Sequence, residues 1–153
     1  MKKLNCVLLV DDDEPTNFLH SWIIRQSGFA ARVEIAEGAR EGLVYLEASS
    51  TSDDHPSPDL IFIDLNMPAM NGWEFIEQYR KLAIARQRKT VFVMLTTSMF
   101  PEDELKAQQT PELSGYESKP LTPEALLRIQ ERYFPNSTDD GVVMDTTAQE
   151  GTY

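Results

Sequence analysis

Three observations predict an α/β fold built on a doubly wound, five-stranded parallel sheet. Five apolar runs recur along the chain, at Cys6–Val10, Val33–Ile35, Leu60–Ile63, Val91–Leu95 and, more weakly, Gly115–Ser118. Three of them are continuous rather than alternating, as strands covered on both faces are. Stretches with helical spacing separate them, and strand alternating with helix five times is the pattern of an α/β domain. The 153 residues have the size of one domain. A chain of this length buries roughly 68–70% of its unfolded surface, so it folds without disulfides or a structural metal.

Each element has a local reason. After the first strand, Pro15 sits in the first turn of a helix, where it is tolerated, and Gly28 stands where the chain turns out. Between them Phe18, Leu19, Trp22 and Ile23 fall on one face, which the periodicity directs to the core. A second helix spans about Gly38 to Ala48, with Leu43 and Leu46 inward, and Ser49 to Pro58 is a loop rich in Ser, Thr, Asp and Pro. In a third helix, after Asn71-Gly72, Phe75, Ile76, Tyr79 and Leu82 share a face. A fourth, Pro101 to Gln109, offers only Leu105 and Ala107 to a core before Pro111 closes it, which makes it the most mobile element. Thr122-Pro123 is a cap followed by proline at the first helical position, and it starts a last helix carrying Leu126, Ile129 and Tyr133. Asn136 to Tyr153 has no apolar periodicity, four acids and no Lys or Arg. The reading is therefore a domain over 3–134 and a flexible acidic tail over 135–153.

Charge narrows the function. With 14 Lys+Arg against 25 Asp+Glu the formal charge is −11, which repels phosphate backbones and anionic lipid. Neither a nucleic-acid binder nor a membrane-surface protein is expected. No apolar run approaches the ~20 residues of a membrane span. The basic start Met1-Lys2-Lys3 leads into only five apolar residues before three aspartates, unlike a signal peptide, and the lone Cys6 fits a reducing compartment. The expected location is the cytoplasm.

In open α/β sheets, ligands bind beyond the carboxyl ends of the strands. Here the first strand runs into Asp11-Asp12-Asp13-Glu14, the third into Asp64, the fourth into Thr96-Thr97-Ser98 and the fifth into Lys119-Pro120. Taken singly these have plain readings: Asp13 as a helix cap, Thr97 and Ser98 as turn formers, Lys119 as a solvated cation. Capping does not explain Asp11, Asp12 and Asp64 together. Crowded carboxylates oppose one another's ionisation unless a cation joins them, and an all-oxygen set of this kind suits Mg²⁺.

Val7-Leu8-Leu9-Val10-Asp11-Asp12, Ile61-Phe62-Ile63-Asp64-Leu65-Asn66-Met67-Pro68 with Gly72 following, Met94-Leu95-Thr96-Thr97 and Tyr116-Glu117-Ser118-Lys119-Pro120 together resemble the response-regulator receiver domain of two-component signalling. The resemblance runs from about Lys3 to Phe134. It implies a flavodoxin-like sheet of order 2-1-3-4-5 with five helices. It also implies that Asp64 takes a phosphoryl group from a sensor histidine kinase or a histidine phosphotransfer protein. Asp12 and Asp64 are implied ligands of Mg²⁺, with Asn66 lending its backbone carbonyl and Asp11 positioning the metal's waters. Lys119 is implied to pair with the phosphoryl group, across a cis Lys119–Pro120 bond, and Thr96 to donate to it. Thr96 and Tyr116 are the implied switch, Tyr116 turning inward as Thr96 moves, to remodel a surface for a downstream protein. Tyr116 also has a plain reading as an edge-strand aromatic with its hydroxyl in water. Met99 and Phe100 fit either a partner-binding patch or burial under their loop.

Two rivals remain at this level. A strand followed by Asp11-x-Asp13 loosely resembles a haloacid-dehalogenase-type phosphohydrolase, with Asp11 as nucleophile. Against it stand Pro15 where that family has Thr or Val, the lack of a cap domain, and the position of Asp139-Asp140 in the tail. The other rival is a receiver-like interaction module that is never phosphorylated.

Overall fold

A computed structural model of the chain describes residues 3–87 and 89–135. In order, the elements are β1 (Leu4–Val10), α1 (Glu14–Gln26), β2 (Ala30–Ala36), α2 (Ala39–Ser49), β3 (Leu60–Asp64), α3 (Gly72–Tyr79), α4 (Ile84–Gln87), β4 (Val91–Thr96), α5 (Pro101–Gln108), β5 (Gly115–Ser118) and α6 (Pro123–Tyr133). The five strands form one parallel sheet in the order β2-β1-β3-β4-β5, as the sequence predicts. None of the described helices is long and apolar enough to cross a membrane.

The continuous apolar runs are explained by two cores, one on each face of the sheet. Leu8, Val10, Ile61, Ile63, Phe92 and Met94 point to the side of α2 and α3, where they meet Leu46, Phe75, Ile76 and Tyr79. Their neighbours in the strands, Val7, Leu9, Leu60, Phe62, Val93 and Leu95, point to the other side and meet Ile24, Leu126 and Ile129. Successive strand residues face opposite ways, so a strand buried on both faces has no polar position to spare. β2 lies at the sheet edge and is only partly covered, with Ala30, Val33 and Ala36 buried and Ala31, Arg32 and Ile35 exposed. Its true extent is seven residues against the three that stand out as apolar.

Local signals set the helix ends. The Asp13 carboxylate accepts the Thr16 amide, Asn71 and Glu74 form a reciprocal capping box, and the Thr122 hydroxyl accepts the Ala125 amide. Gly28 takes a left-handed φ of 69° just beyond α1, the conformation glycine adopts without cost.

Three expectations are corrected. Of the expected inward face of α1, only Ile23 packs against the core; Phe18, Leu19 and Trp22 do not. Asn17, His20, Ser21 and Ile24 are the buried residues, while Phe18, Leu19 and Trp22 are 72%, 42% and 55% exposed and Ile23 is only partly covered. The helix keeps its period but is rotated, because its inner side chains bond the backbone of two strand ends, described below. Among the described residues there are six helices rather than five. The chain turns after α3 through Lys81 and Leu82 amides bonded to the carbonyls of Gln78 and Tyr79, and the single turn of α4 then drives Ile84 into the core. Of the two core contacts expected from α5, Ala107 is buried but Leu105 stands 55% exposed. The predicted tail lies, past residue 135, outside the described residues.

Candidate functional site

The strand ends meet at one edge of the sheet. Asp11 and Asp12 follow β1, Asp64 ends β3, Thr96 ends β4, and Lys119 follows β5. One carboxylate oxygen from each of Asp11, Asp12 and Asp64 lies within 4.8 Å of the others. Asp11 and Asp64 are buried and Asp12 is exposed, so the cluster is a pocket with a buried floor and an open lip. The Lys119 ammonium sits 2.6 Å from Asp11 Oδ2 and 2.9 Å from Asp64 Oδ1. Its backbone amide donates to the Thr96 carbonyl (2.9 Å), and the Lys119–Pro120 bond is cis.

The electrostatics follow from this crowding. Burial, joined by the Asp11 charge, pushes the Asp64 carboxyl above the usual carboxylate range against the pull of Lys119 and the Asn66 amide. Burial alone lowers the Lys119 ammonium, but its bonds to Asp11 and Asp64 outweigh this and hold it above the usual lysine range. Asp11 is fully engaged: its second oxygen accepts the Asp13 amide at 2.9 Å. Asn66, two residues past Asp64, is exposed.

On the other side of the pocket Thr96 is buried, and its hydroxyl oxygen accepts the Ser98 amide at 2.9 Å. The Ser98 hydroxyl donates to Asp103 of α5 (2.6 Å) and accepts the Phe100 amide (3.2 Å). Tyr116 does not place its hydroxyl in water. The oxygen is buried without a hydrogen bond among the described residues, and burial and the Asp103 charge push its pKa up against the smaller effect of the Ser98 and Thr96 hydroxyls. Met99 and Phe100 stand in solvent rather than under their loop.

Three residues support this site in roles that the sequence alone does not announce. Gly72, the first residue of α3, donates its amide to the Leu65 carbonyl, and a Cβ there would fall 2.9 Å from the Asp64 carbonyl oxygen and 3.0 Å from Met94. The glycine after Asn71 carried that signal, since close backbone approach calls for glycine. The others are Asn17 and His20 on α1. Asn17 Nδ2 donates to the Asp11 carbonyl (2.8 Å) and His20 Nε2 accepts the Leu121 amide (3.1 Å). Nothing in the period of an amphipathic helix announces a polar inner face.

Known proteins resemble this chain in sequence and in fold. The family model described as the response regulator receiver domain matches residues 7–131. A two-component response regulator from Cytophaga hutchinsonii is 31% identical with a TM-score of 0.78, over 86% of this chain and 97% of that one. The chemotaxis protein CheY4 of Vibrio cholerae is 32% identical with a TM-score of 0.66, over 84% and 98%. The nitrate/nitrite response regulator NarL of Escherichia coli strain K12 is 30% identical across 79% of this chain, which spans about half (51%) of that protein. Matched along nearly all of its described length and alike in shape to solved members, this chain belongs to the response regulator receiver domains of two-component signalling.

Proposed function

We propose that the chain is a phosphoacceptor whose Asp64 carboxylate takes a phosphoryl group from a phosphohistidine of a sensor kinase or phosphotransfer protein. A carboxylate oxygen forms the new bond to phosphorus as the donor's nitrogen–phosphorus bond breaks, leaving an acyl phosphate on Asp64 and imidazole on the donor. The observation that carries this is the Asp64 carboxylate on a buried floor beside Asp11, with the Lys119 ammonium 2.9 Å away to pair with an incoming phosphoryl oxygen. Asp64 is favoured over Asp11 as nucleophile by membership of the receiver domains, since both carboxylates bond Lys119 and a backbone amide and so do not differ in that respect. That weighs against the phosphohydrolase reading.

The donor set fits a hard divalent cation. Three converging carboxylates face a single ammonium, which leaves excess negative charge at an oxygen-lined, half-open site. Asp12 and Asp64 would hold Mg²⁺ through their carboxylates, with the Asn66 carbonyl, and Asp11 would order its waters. When bound, the metal neutralises charge on the transferring group. Thr96, at the end of β4, has its hydroxyl hydrogen free to donate to the phosphoryl group, since the oxygen accepts from Ser98. Tyr116 already has its hydroxyl inside, so Thr96 and the Ser98–Asp103 contact carry the change from pocket to α5.

The exposed apolar face of α1 supports a protein as the donor. α1 begins at its cap Asp13, next to Asp12, and along it Phe18, Leu19 and Trp22 stand exposed. Such a patch beside a reactive group is where a partner that must reach it docks.

The test is incubation with Mg²⁺ and a small acyl-phosphate donor, followed by borohydride trapping and mass spectrometry. Label on Asp64 that disappears in Asp64→Asn is the expected result. Label on Asp11 restores the hydrolase reading, and no label from small donor or kinase restores the inert module.

A further inference from the structure

We propose that His20 is a positioning residue for Lys119: it holds the backbone that follows Lys119 so that the ammonium stays between Asp11 and Asp64. This rests on the phosphoacceptor reading above for its consequence, though not for its geometry.

The contact spans 101 residues. His20, 1% exposed in the middle of α1, accepts the Leu121 amide through Nε2 at 3.1 Å. Leu121 is itself buried in the core under α1 and α6, so without the ring this amide would face apolar side chains and lose its partner. The segment around Lys119 is thus fixed at two backbone points, the Lys119 amide on the Thr96 carbonyl and the Leu121 amide on His20. One turn earlier on the same helix face, Asn17 Nδ2 holds the Asp11 carbonyl at 2.8 Å. A single turn of α1 therefore grips both partners of the Lys119–Asp11 pair, one on each side. Burial, helped by the nearby Lys119 charge, lowers the His20 pKa to about 4 against the opposing pull of Asp11, so the ring is neutral at pH 7 and its Nε2 lone pair is available. This also explains why α1 turns polar residues inward: the helix is a clamp on the site before it is a lid on the core.

A displacement of about 1 Å at such a group costs on the order of a hundredfold in rate, so the clamp has a measurable consequence. The experiment compares wild type with His20→Leu, which fills the space without an acceptor, and His20→Gln, whose amide oxygen reaches the position of Nε2. His20→Asn, whose amide oxygen is too short to reach Leu121 and so leaves that amide without its acceptor, is the second acceptor-free variant should His20→Leu fail to fold. Two readouts are taken. The first is labelling of Lys119 by an amine-reactive reagent, quantified by mass spectrometry with exposed Lys106 as internal reference. The second is the rate of Asp64 phosphorylation by a small acyl phosphate with Mg²⁺, in the presence and absence of Lys119→Ala. The acceptor-free variants are expected to raise Lys119 labelling at least threefold with Lys106 unchanged and to slow phosphorylation about tenfold. His20→Gln should restore both to within threefold of wild type. In the Lys119→Ala background the loss of His20 should change the rate less than twofold. Unchanged Lys119 labelling, or an equal loss of rate with and without Lys119, overturns the proposal and leaves His20 as core filler. Failure of wild type to label Asp64 at all overturns the phosphoacceptor reading instead, and the Lys119 labelling then decides the positioning role alone.

Discussion

Gly72 shows how little room the site leaves for change. Its Cα lies against the Asp64 carbonyl, and an added Cβ at 2.9 Å from that oxygen and 3.1 Å from Leu65 Cα meets backbone on both sides. Neither can retreat without moving the end of β3, which carries the acceptor. Overpacking of this kind costs about 1–3 kcal/mol, and the displaced carboxylate adds a kinetic penalty of roughly tenfold or more. Gly72→Ala is therefore expected to lower the urea midpoint and, at temperatures where it remains folded, to slow Asp64 labelling by a small acyl phosphate. A variant destabilised by that amount yet labelled at the wild-type rate would show that the Asp64 backbone does not move. The opposite case is Ala69, three residues earlier, whose φ of 67° places a non-glycine residue in the left-handed region of the same loop. Loop conformation here is set by what the acceptor needs on either side of it rather than by the local preference of each residue.

At the level of the element, α1 separates what a sequence states from what only the fold decides. The three central strands were legible because burial on both faces leaves continuous apolar runs. The acids, Thr96 and Lys119 were legible because each directly follows or ends such a run. The period of α1 was also legible, but its phase was not. Amphipathic spacing assumes that apolar means inside, and Asn17 and His20 reverse that assumption by bonding the Asp11 carbonyl and the Leu121 amide. The turn of α4 was hidden for a related reason, since a four-residue helix is too short to have a period and shows itself only through Ile84. The rotation of α1 has an energetic signature. Because Phe18 and Trp22 are already in water, Phe18→Ser and Trp22→Ser should leave stability within about 0.5 kcal/mol of wild type. Their cost should appear in phosphotransfer from a phosphorylated kinase that labels the wild-type chain, slowed on the order of thirtyfold, the worth of one buried aromatic anchor. Labelling by a small acyl phosphate should not change. Equal rates from both donors in variant and wild type would mean that the donor protein docks elsewhere.

Across the whole molecule, stability and function draw on different charges. The two cores hold the sheet by apolar burial, whereas the pocket gathers groups that burial disfavours, and one link between them responds to pH. His20 takes up a proton near its ordinary 6.5 when unfolded but, buried in the fold, only at about 4. Between those values the unfolded chain binds the extra proton, so stability rises with pH across this window and is lost as pH falls from about 6.5 toward 4. The carboxylates held low act below the upper part of it. Glu112, held low by Arg80, and Asp13, held low by Thr16, withdraw their contributions only as pH falls through the carboxylate range. Asp64, whose pKa is raised, works in the other direction, its carboxyl being easier to keep folded once protonated. The difference between wild type and His20→Gln from pH 7 to 5 thus isolates His20, whose contribution across that interval is at most about 2 kcal/mol. Chemical denaturation at a series of pH values should show wild type losing stability over that interval while His20→Gln, which cannot titrate, holds a flatter line. Parallel lines for the two would mean that His20 is protonated as readily in the fold as out of it, and that the neutral ring at the heart of the α1 clamp is absent.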